Sequence, residues 1–326
     1  MPAAAPSAPL VLVADVGGTN TRVALARGTT LLPETVRRYA NHDFANLAPV
    51  LERFCADQGG MVPDGACIAV AGPVADGQAE LTNLAWSIDR TGLIAATGAR
   101  HAAILNDLQA QGYALSHLAP ESIVPVVAPE GEARSAATAR LVIGVGTGFN
   151  AAPVHGHGAG HLVPPGEAGH ATLPVRSETD LRLATFLSSV HGLSAVEDVL
   201  SGRGLENVYR WLAADAGAEE TTPKAAEIMD RLGTESRSEA TVQHVVRILG
   251  AVAGDLTLIH LALGGVFLVG GVARALGPHL GPMGFAEAFR DKGRFGPLLA
   301  EVPVSLVTDD YAALTGCAGH LAELAL

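Results

Sequence analysis

Charge is scarce in this chain. Only 17% of its 326 residues are Asp, Glu, Lys or Arg, and aromatic residues make up 4%. Because 48% of the chain is hydrophobic, this scarcity excludes disorder as its main character and leaves ample apolar material for a large core. Basic charge is the thinnest of all: 21 Lys and Arg stand against 33 Asp and Glu, a formal net charge of -12, with no basic cluster. A nucleic-acid partner would find no electrostatic footprint. No continuous apolar run approaches the roughly 20 residues of a membrane-spanning helix, and the longest, such as residues 10–14 and 266–269, have strand length. No membrane partner is expected. The three cysteines, Cys55, Cys67 and Cys317, are widely spaced with no Cys-x-x-Cys pair. They offer no disulfide framework and favour a reducing, cytoplasmic location. Residues 1–9 contain three prolines and no basic residue, which predicts a flexible tail rather than a signal peptide.

What is present alternates between strand and helix. An apolar run at residues 10–14 enters Asp15-Val-Gly-Gly-Thr-Asn-Thr-Arg22, and residues 23–26 return as a strand. The run 139–145 enters Gly144-Val-Gly-Thr-Gly148 in the same way and leaves through residues 151–154, so two related halves are expected. Short apolar runs at 66–71, 101–105 and 266–269 read as further strands. Residues 108–118, 180–190 and 239–263 read as helices, the last with apolar residues near a 3.6 period and an end at Gly264-Gly265. The alternation predicts an α/β protein with two sheets. Residues 120–139 read as a linker and 217–224 as a surface loop.

Three glycine turns at strand ends carry the chemistry. Adjacent glycines at 17 and 18 let backbone N–H groups approach a polyanion, Thr19 and Asn20 add polar donors, and Asp15 is suited to a Mg²⁺ lying between it and phosphate. An ordinary Asp/Gly hairpin would carry the same residues. Gly146, Thr147 and Gly148 form a second such turn. Gly270-Gly271, after a strand, offers a third approach or a plain strand-to-helix connection. Asn106-Asp107 stands where a strand ends and a helix begins, the place where α/β proteins bind ligands, so Asp107 is either a proton acceptor with Asn106 orienting the substrate, or a helix N-cap. Glu167, His170, Glu197 and Asp198 are polar groups suited to a polyol. His155, His157, His161 and His170 crowd one segment, yet no Cys and no His-Glu-x-x-His pattern joins them, so a solvated loop is favoured over zinc.

In this order, Asp15-Val-Gly-Gly-Thr-Asn20, Leu105-Asn-Asp-Leu108, Gly144-Val-Gly-Thr-Gly148, Pro165-Gly-Glu-Ala-Gly-His170, Glu197-Asp-Val-Leu-Ser-Gly202 and Val269-Gly-Gly271 resemble the bacterial ATP-dependent glucokinases from about residue 10 to the C-terminus. Glycine turns alone belong to the whole sugar-kinase and actin-like superfamily, and the Pro-Gly-Glu-x-Gly-His and Glu-Asp-Val-Leu-Ser-Gly segments narrow it. The resemblance implies a two-domain actin-like ATPase (ribonuclease H-like) α/β fold, with mixed sheets flanked by helices and an interdomain cleft. The small domain is expected over residues 10–116 with a returning helix at 311–326, and the large domain over 117–310. It implies phosphorylation of the glucose 6-hydroxyl by Mg-ATP, with Asp107 as general base and Asn106, Glu167, His170 and Glu197 on the sugar. Asp15, Gly17, Gly18, Thr19, Asn20, Gly146, Thr147, Gly148, Gly270 and Gly271 would meet the nucleotide, Asp15 holding Mg²⁺ through water. It also implies a cytoplasmic homodimer. The chain departs from the family at Asn150 and Ala168, where glycine is usual, and an Asn150 side chain is expected to narrow the nucleotide turn. Another hexose or an N-acetylated amino sugar as substrate, or a catalytically silent sensor or assembly protein, are the competing readings.

Overall fold

A computed structural model describes residues 8–81, 84, 86–131, 138–218 and 222–324. Most of the expected tail, residues 1–7, lies outside the described residues, as do 132–137 of the expected linker and 219–221 of the expected loop. The chain divides into two units: one takes in the chain up to Pro120, His157–Pro165 and the stretch from Asp309 onward, and the other takes in Glu121–Gly156 and Gly166–Thr308.

In the first unit the strand Leu10–Val16 pairs antiparallel with Asn20–Arg27 and parallel with Gly65–Val70, which pairs parallel with His101–Asn106. Gly65–Val70 is buried at every position, as a strand covered on both faces must be. Leu12, Ala14 and Val16 join Leu47, Leu51, Phe54 and Leu93 of the helices Leu47–Asp57 and Arg90–Thr97 in one core. The C-terminal helix Ala312–Glu323 packs against the first and third of these strands and against the helix Asp107–Ala114. Its small residues set the approach, since a Cβ on Gly316 would collide with the Ala110 carbonyl. Cys55, Cys67 and Cys317 are buried free thiols.

The second unit repeats the design. Arg140–Val145 pairs antiparallel with Phe149–His157 and parallel with Val266–Val269, which pairs parallel with Val304–Val307. The expected linker instead contains a strand, Ile123–Val127, which adds antiparallel to Val304–Val307 because that edge still offers backbone partners. The helix Ser236–His260 is long and apolar enough by composition to cross a membrane, a property that a search for continuous apolar runs misses. Val242, Val245, Val246 and Leu249 are fully buried in the unit's core, so its apolar character is that of a core helix. It ends with Leu261 in the left-handed region, φ 45°, before the glycines expected to stop it; Gly265, at φ 122°, turns the chain into the next strand.

Candidate active site

The first glycine turn closes between the strands Leu10–Val16 and Asn20–Arg27, the Gly17 N–H donating to the Asn20 carbonyl at 3.0 Å. Gly18 and Thr19 are exposed at its tip, while Asp15 and Asn20 are half-buried. A residue with no motif of its own braces the turn. Asn41, 2% exposed, donates from Nδ2 to the Gly17 carbonyl at 2.7 Å, accepts the Thr21 hydroxyl at 2.8 Å and donates its backbone N–H to the Thr19 carbonyl at 2.9 Å. The distance in sequence between Asn41 and Gly17 leaves no local signal by which to find it. Burial pushes the Asp15 carboxyl above its ordinary value, and Arg22, whose Nη1 lies 3.8 Å from Asp15 Oδ2, draws it partway back.

Asn106 and Asp107 leave the same end of the same sheet. Register pairs Val16 with Val70 and Val70 with Asn106, so the first turn and Asn106 stand level, two strand spacings or roughly 10 Å apart. The cap of the helix Asp107–Ala114 is Asn106 rather than Asp107. Asn106 Oδ1 accepts the Gln109 N–H at 2.7 Å, and Gln109 Oε1 accepts the Asn106 N–H at 3.0 Å, which is a capping box. Asp107 takes the first helical position, half-buried, with Oδ1 accepting the Leu108 N–H at 2.9 Å. The N-cap alternative for Asp107 is thereby corrected: the role belongs to its neighbour, whose Nδ2 takes no part in the cap.

In the second unit the Gly146–Gly148 turn closes by the Gly146 N–H on the Gly148 carbonyl at 2.9 Å, and the Gly202 N–H donates to the Gly146 carbonyl at 2.9 Å. Residues 197–202 therefore dock the start of the helix Gly202–Asp215 on this turn, with Ser201 as its cap. Glu197, its side chain 22% exposed, accepts the Phe149 N–H on Oε2 at 2.9 Å and meets Arg203 Nη2 through Oε1 at 3.2 Å. A Cβ on Gly148 would fall 2.5 Å from Glu197 Oε2, so the glycine there admits a carboxylate. Gly146 has open space on its Cβ side. Asp198 is committed elsewhere, accepting the Ala195 N–H at 2.9 Å.

Glu167 and His170 are exposed on the loop that runs into the short 3-10 turn Ala168–His170. Gly169 is glycine because a Cβ there would strike the Phe149 carbonyl and come within 3.4 Å of Glu197 Cβ, so the 3-10 turn Ala168–His170 packs against the turn Val196–Asp198 that carries Glu197. Asn150 does not narrow that turn as expected. Its side chain bonds the loop at Gly166 and Ala168 instead, because those backbone groups need partners. Gly270 adopts φ 104°, and a Cβ there would strike the Val145 carbonyl, whereas Gly271 faces open space at the start of the helix Gly271–Leu280. Of the clustered histidines, His161 bonds Glu323 through Nδ1 at 2.6 Å and Ser116 through Nε2 at 3.2 Å. Among the described residues no three His, Cys, Asp or Glu side chains gather to hold a metal.

The sequence profile of the Glucokinase family matches residues 12–324. A glucokinase of Rhizobium meliloti (strain 1021) is 33% identical over 310 residues, covering 94% of this chain and 91% of the relative. A crystal structure of glucokinase from an Antarctic psychrotroph superposes with TM-score 0.86 at 32% identity, covering 97% of this chain and 99% of that one. A ROK family glucokinase from Streptomyces griseus, solved with glucose and AMPPNP, shares the fold with TM-score 0.65 at 16% identity, covering 97% and 99% of the two chains.

Proposed function

Since the chain belongs to the glucokinase family, with its actin-like α/β fold, and is an ATP-dependent kinase of glucose, we propose that Asp107 is the base that takes the proton from glucose O6. As O6 bonds to the γ-phosphorus, the bond from that phosphorus to the oxygen bridging it to the β-phosphate breaks, releasing ADP and glucose 6-phosphate; the proton rests on Asp107 until solvent takes it. The observation that carries this reading is the register Val16, Val70, Asn106, which sets Asp107 and the first glycine turn at one sheet end with the capping duty on Asn106.

Glucose is held by Asn106, Glu167, His170 and Glu197. The carboxylates accept from sugar hydroxyls, and a neutral imidazole both donates and accepts. The nucleotide meets Asp15, Gly17 to Asn20, Gly146 to Gly148, Gly270 and Gly271; the AMPPNP held by the Streptomyces griseus neighbour supports ATP as donor. Mg²⁺ fits as a companion of the nucleotide, because the Asp15 carboxylate supplies one hard oxygen donor beside the glycine turn read as its phosphate site. When bound it supplies charge neutralisation at the phosphates, with Asp15 holding it through water. The reading includes a cytoplasmic location and a homodimer; sedimentation of the purified protein tests the dimer, and a monomer there would remove it.

Asp107→Asn tests the base. The variant is expected to fold and bind glucose normally while kcat falls by roughly 10²–10⁴. Near-parental kcat would overturn the assignment.

A further inference from the structure

Asn150 stands at the second position of the strand Phe149–His157. Its amide is engaged on both sides. Nδ2 donates to the Gly166 carbonyl at 2.6 Å, and Oδ1 accepts the Ala168 N–H at 3.0 Å together with its own strand neighbour, the Ala151 N–H, at 2.8 Å. The two loop atoms it grips are the carbonyl immediately before Glu167 and the N–H immediately after it.

Among the described residues the backbone around Glu167 has no other side-chain brace of this kind: Glu167 makes no cap bond of its own, and the turn Ala168–His170 is a single 3-10 turn closed by 3.2 Å bonds from the His170 N–H to the Glu167 carbonyl and from the Ala171 N–H to the Ala168 carbonyl. Glycines keep the strand close enough for one Asn to span the loop. A Cβ on Gly166 would lie 2.9 Å from the Ala151 carbonyl, and one on Gly169 would strike the Phe149 carbonyl. Orientation of a peptide plane fixes the direction in which the neighbouring Cα projects its side chain, so a bond to each of the two planes flanking Glu167 sets where its carboxylate points.

We propose that Asn150 is a positioning residue for sugar recognition, a splint across Glu167 that holds this carboxylate in one direction and thereby contributes to the choice among hexoses. The proposal rests on the reading of Glu167 as a sugar ligand. A glycine at 150 would make none of the three side-chain bonds, leaving the loop held by backbone contacts alone.

The test compares Asn150→Ala, Asn150→Asp and Glu167→Gln in the full-length enzyme, measuring kcat and KM for glucose, mannose and ATP, glucose binding by calorimetry, and melting temperature. Losing the two loop bonds is expected to raise KM for glucose by roughly 5- to 30-fold, from the usual worth of one to two hydrogen bonds, to leave KM for ATP within about twofold, and to lower the preference for glucose over mannose. Asn150→Asp keeps the shape and the two acceptor bonds but replaces the donation to the Gly166 carbonyl by repulsion between two oxygens, so it releases the loop on that side and reports on the splint even if Asn150→Ala folds poorly; it is expected to raise KM for glucose selectively. Combining Asn150→Ala with Glu167→Gln is expected to cost less than the product of the two separate effects, since Asn150 acts through Glu167. If Glu167→Gln raises KM for glucose but both Asn150 variants leave it unchanged, or raise KM for ATP equally, the splint is refuted. If Glu167→Gln itself leaves KM for glucose unchanged, the underlying reading of the sugar loop fails instead.

Discussion

Replacing Asn41 by alanine deletes a donor and an acceptor beneath the first glycine turn. The Thr21 hydroxyl, 0% exposed, loses the acceptor it meets at 2.8 Å, and the Gly17 carbonyl loses the donor at 2.7 Å. An orphaned buried group costs about 1–3 kcal/mol, whereas a half-buried carbonyl that can recruit water costs less, so together the loss is about 2–4 kcal/mol. For a unit near 150 residues, where 1 kcal/mol shifts the midpoint by about 2–4 °C, melting is expected roughly 4–16 °C lower. The backbone bond from Asn41 to the Thr19 carbonyl remains possible in the variant, so the turn loosens rather than disappears. With the N–H groups of the turn no longer held for the phosphates, KM for ATP is expected to rise roughly 10-fold while KM for glucose stays near parental. A coupled ADP-release assay run well below the melting midpoint, beside scanning calorimetry, measures both. Asn41→Asp sharpens the test, because it keeps an acceptor for Thr21 yet sets a negative charge under the turn proposed to bind phosphate; its KM for ATP is expected above that of Asn41→Ala. An Asn41→Ala enzyme that melts lower but keeps its KM for ATP would refute the argument that this brace serves the nucleotide.

Gly270→Ala forces a side chain into φ 104° and onto the Val145 carbonyl. A cost of about 1–3 kcal/mol for the dihedral alone is expected, seen as a lower melting temperature with a raised KM for ATP, and an unchanged melting temperature would contradict it. Arg22→Gln removes the charge that lowers the Asp15 carboxyl, so the pKa of Asp15 rises further. If Asp15 holds Mg²⁺ as proposed, it must be ionised to do so, and the acid limb of kcat/KM for ATP is expected to move to higher pH; an unmoved limb detaches Asp15 from the metal. Burial lowers the pKa of His320 below 6.5, with Glu323 opposing, and its Nδ1 is buried without a hydrogen-bond partner among the described residues. The unfolded chain therefore takes up the proton first, and stability falls as pH drops through 6.5 towards the lowered folded value. His320→Phe, which keeps a ring against Tyr113, is expected to flatten the loss of melting temperature between about pH 7.5 and 5.5, and an identical slope in both proteins would refute it.

Local chemistry determined a good deal of this molecule. Continuous apolar runs followed by Gly/Thr turns announced the strands and the turns closing them, since a run buried on both faces leaves no polar alternation and glycine supplies the dihedrals and close approach that such turns need. The period of the long helix and the strand-to-helix junction at Asn106-Asp107 were legible for the same reason: each depends on residues within a few positions. Choices made between distant segments were not. Asn106 rather than Asp107 became the cap when its Oδ1 met the N–H of Gln109, and Gln109 was fixed in turn by the Val163 carbonyl, 54 residues away. The helix Ser236–His260 has a composition that serves a membrane or a core equally, and only the surrounding packing made it a core helix. Gly148 is glycine to make room for Glu197, and Asn41 and Asn150 are single polar residues whose distant partners lie 20 to 24 and 16 to 18 positions away. Their meaning arises only when the folded chain brings backbone groups that must be hydrogen-bonded within reach of an amide, a matching of donors and acceptors that tertiary structure alone decides.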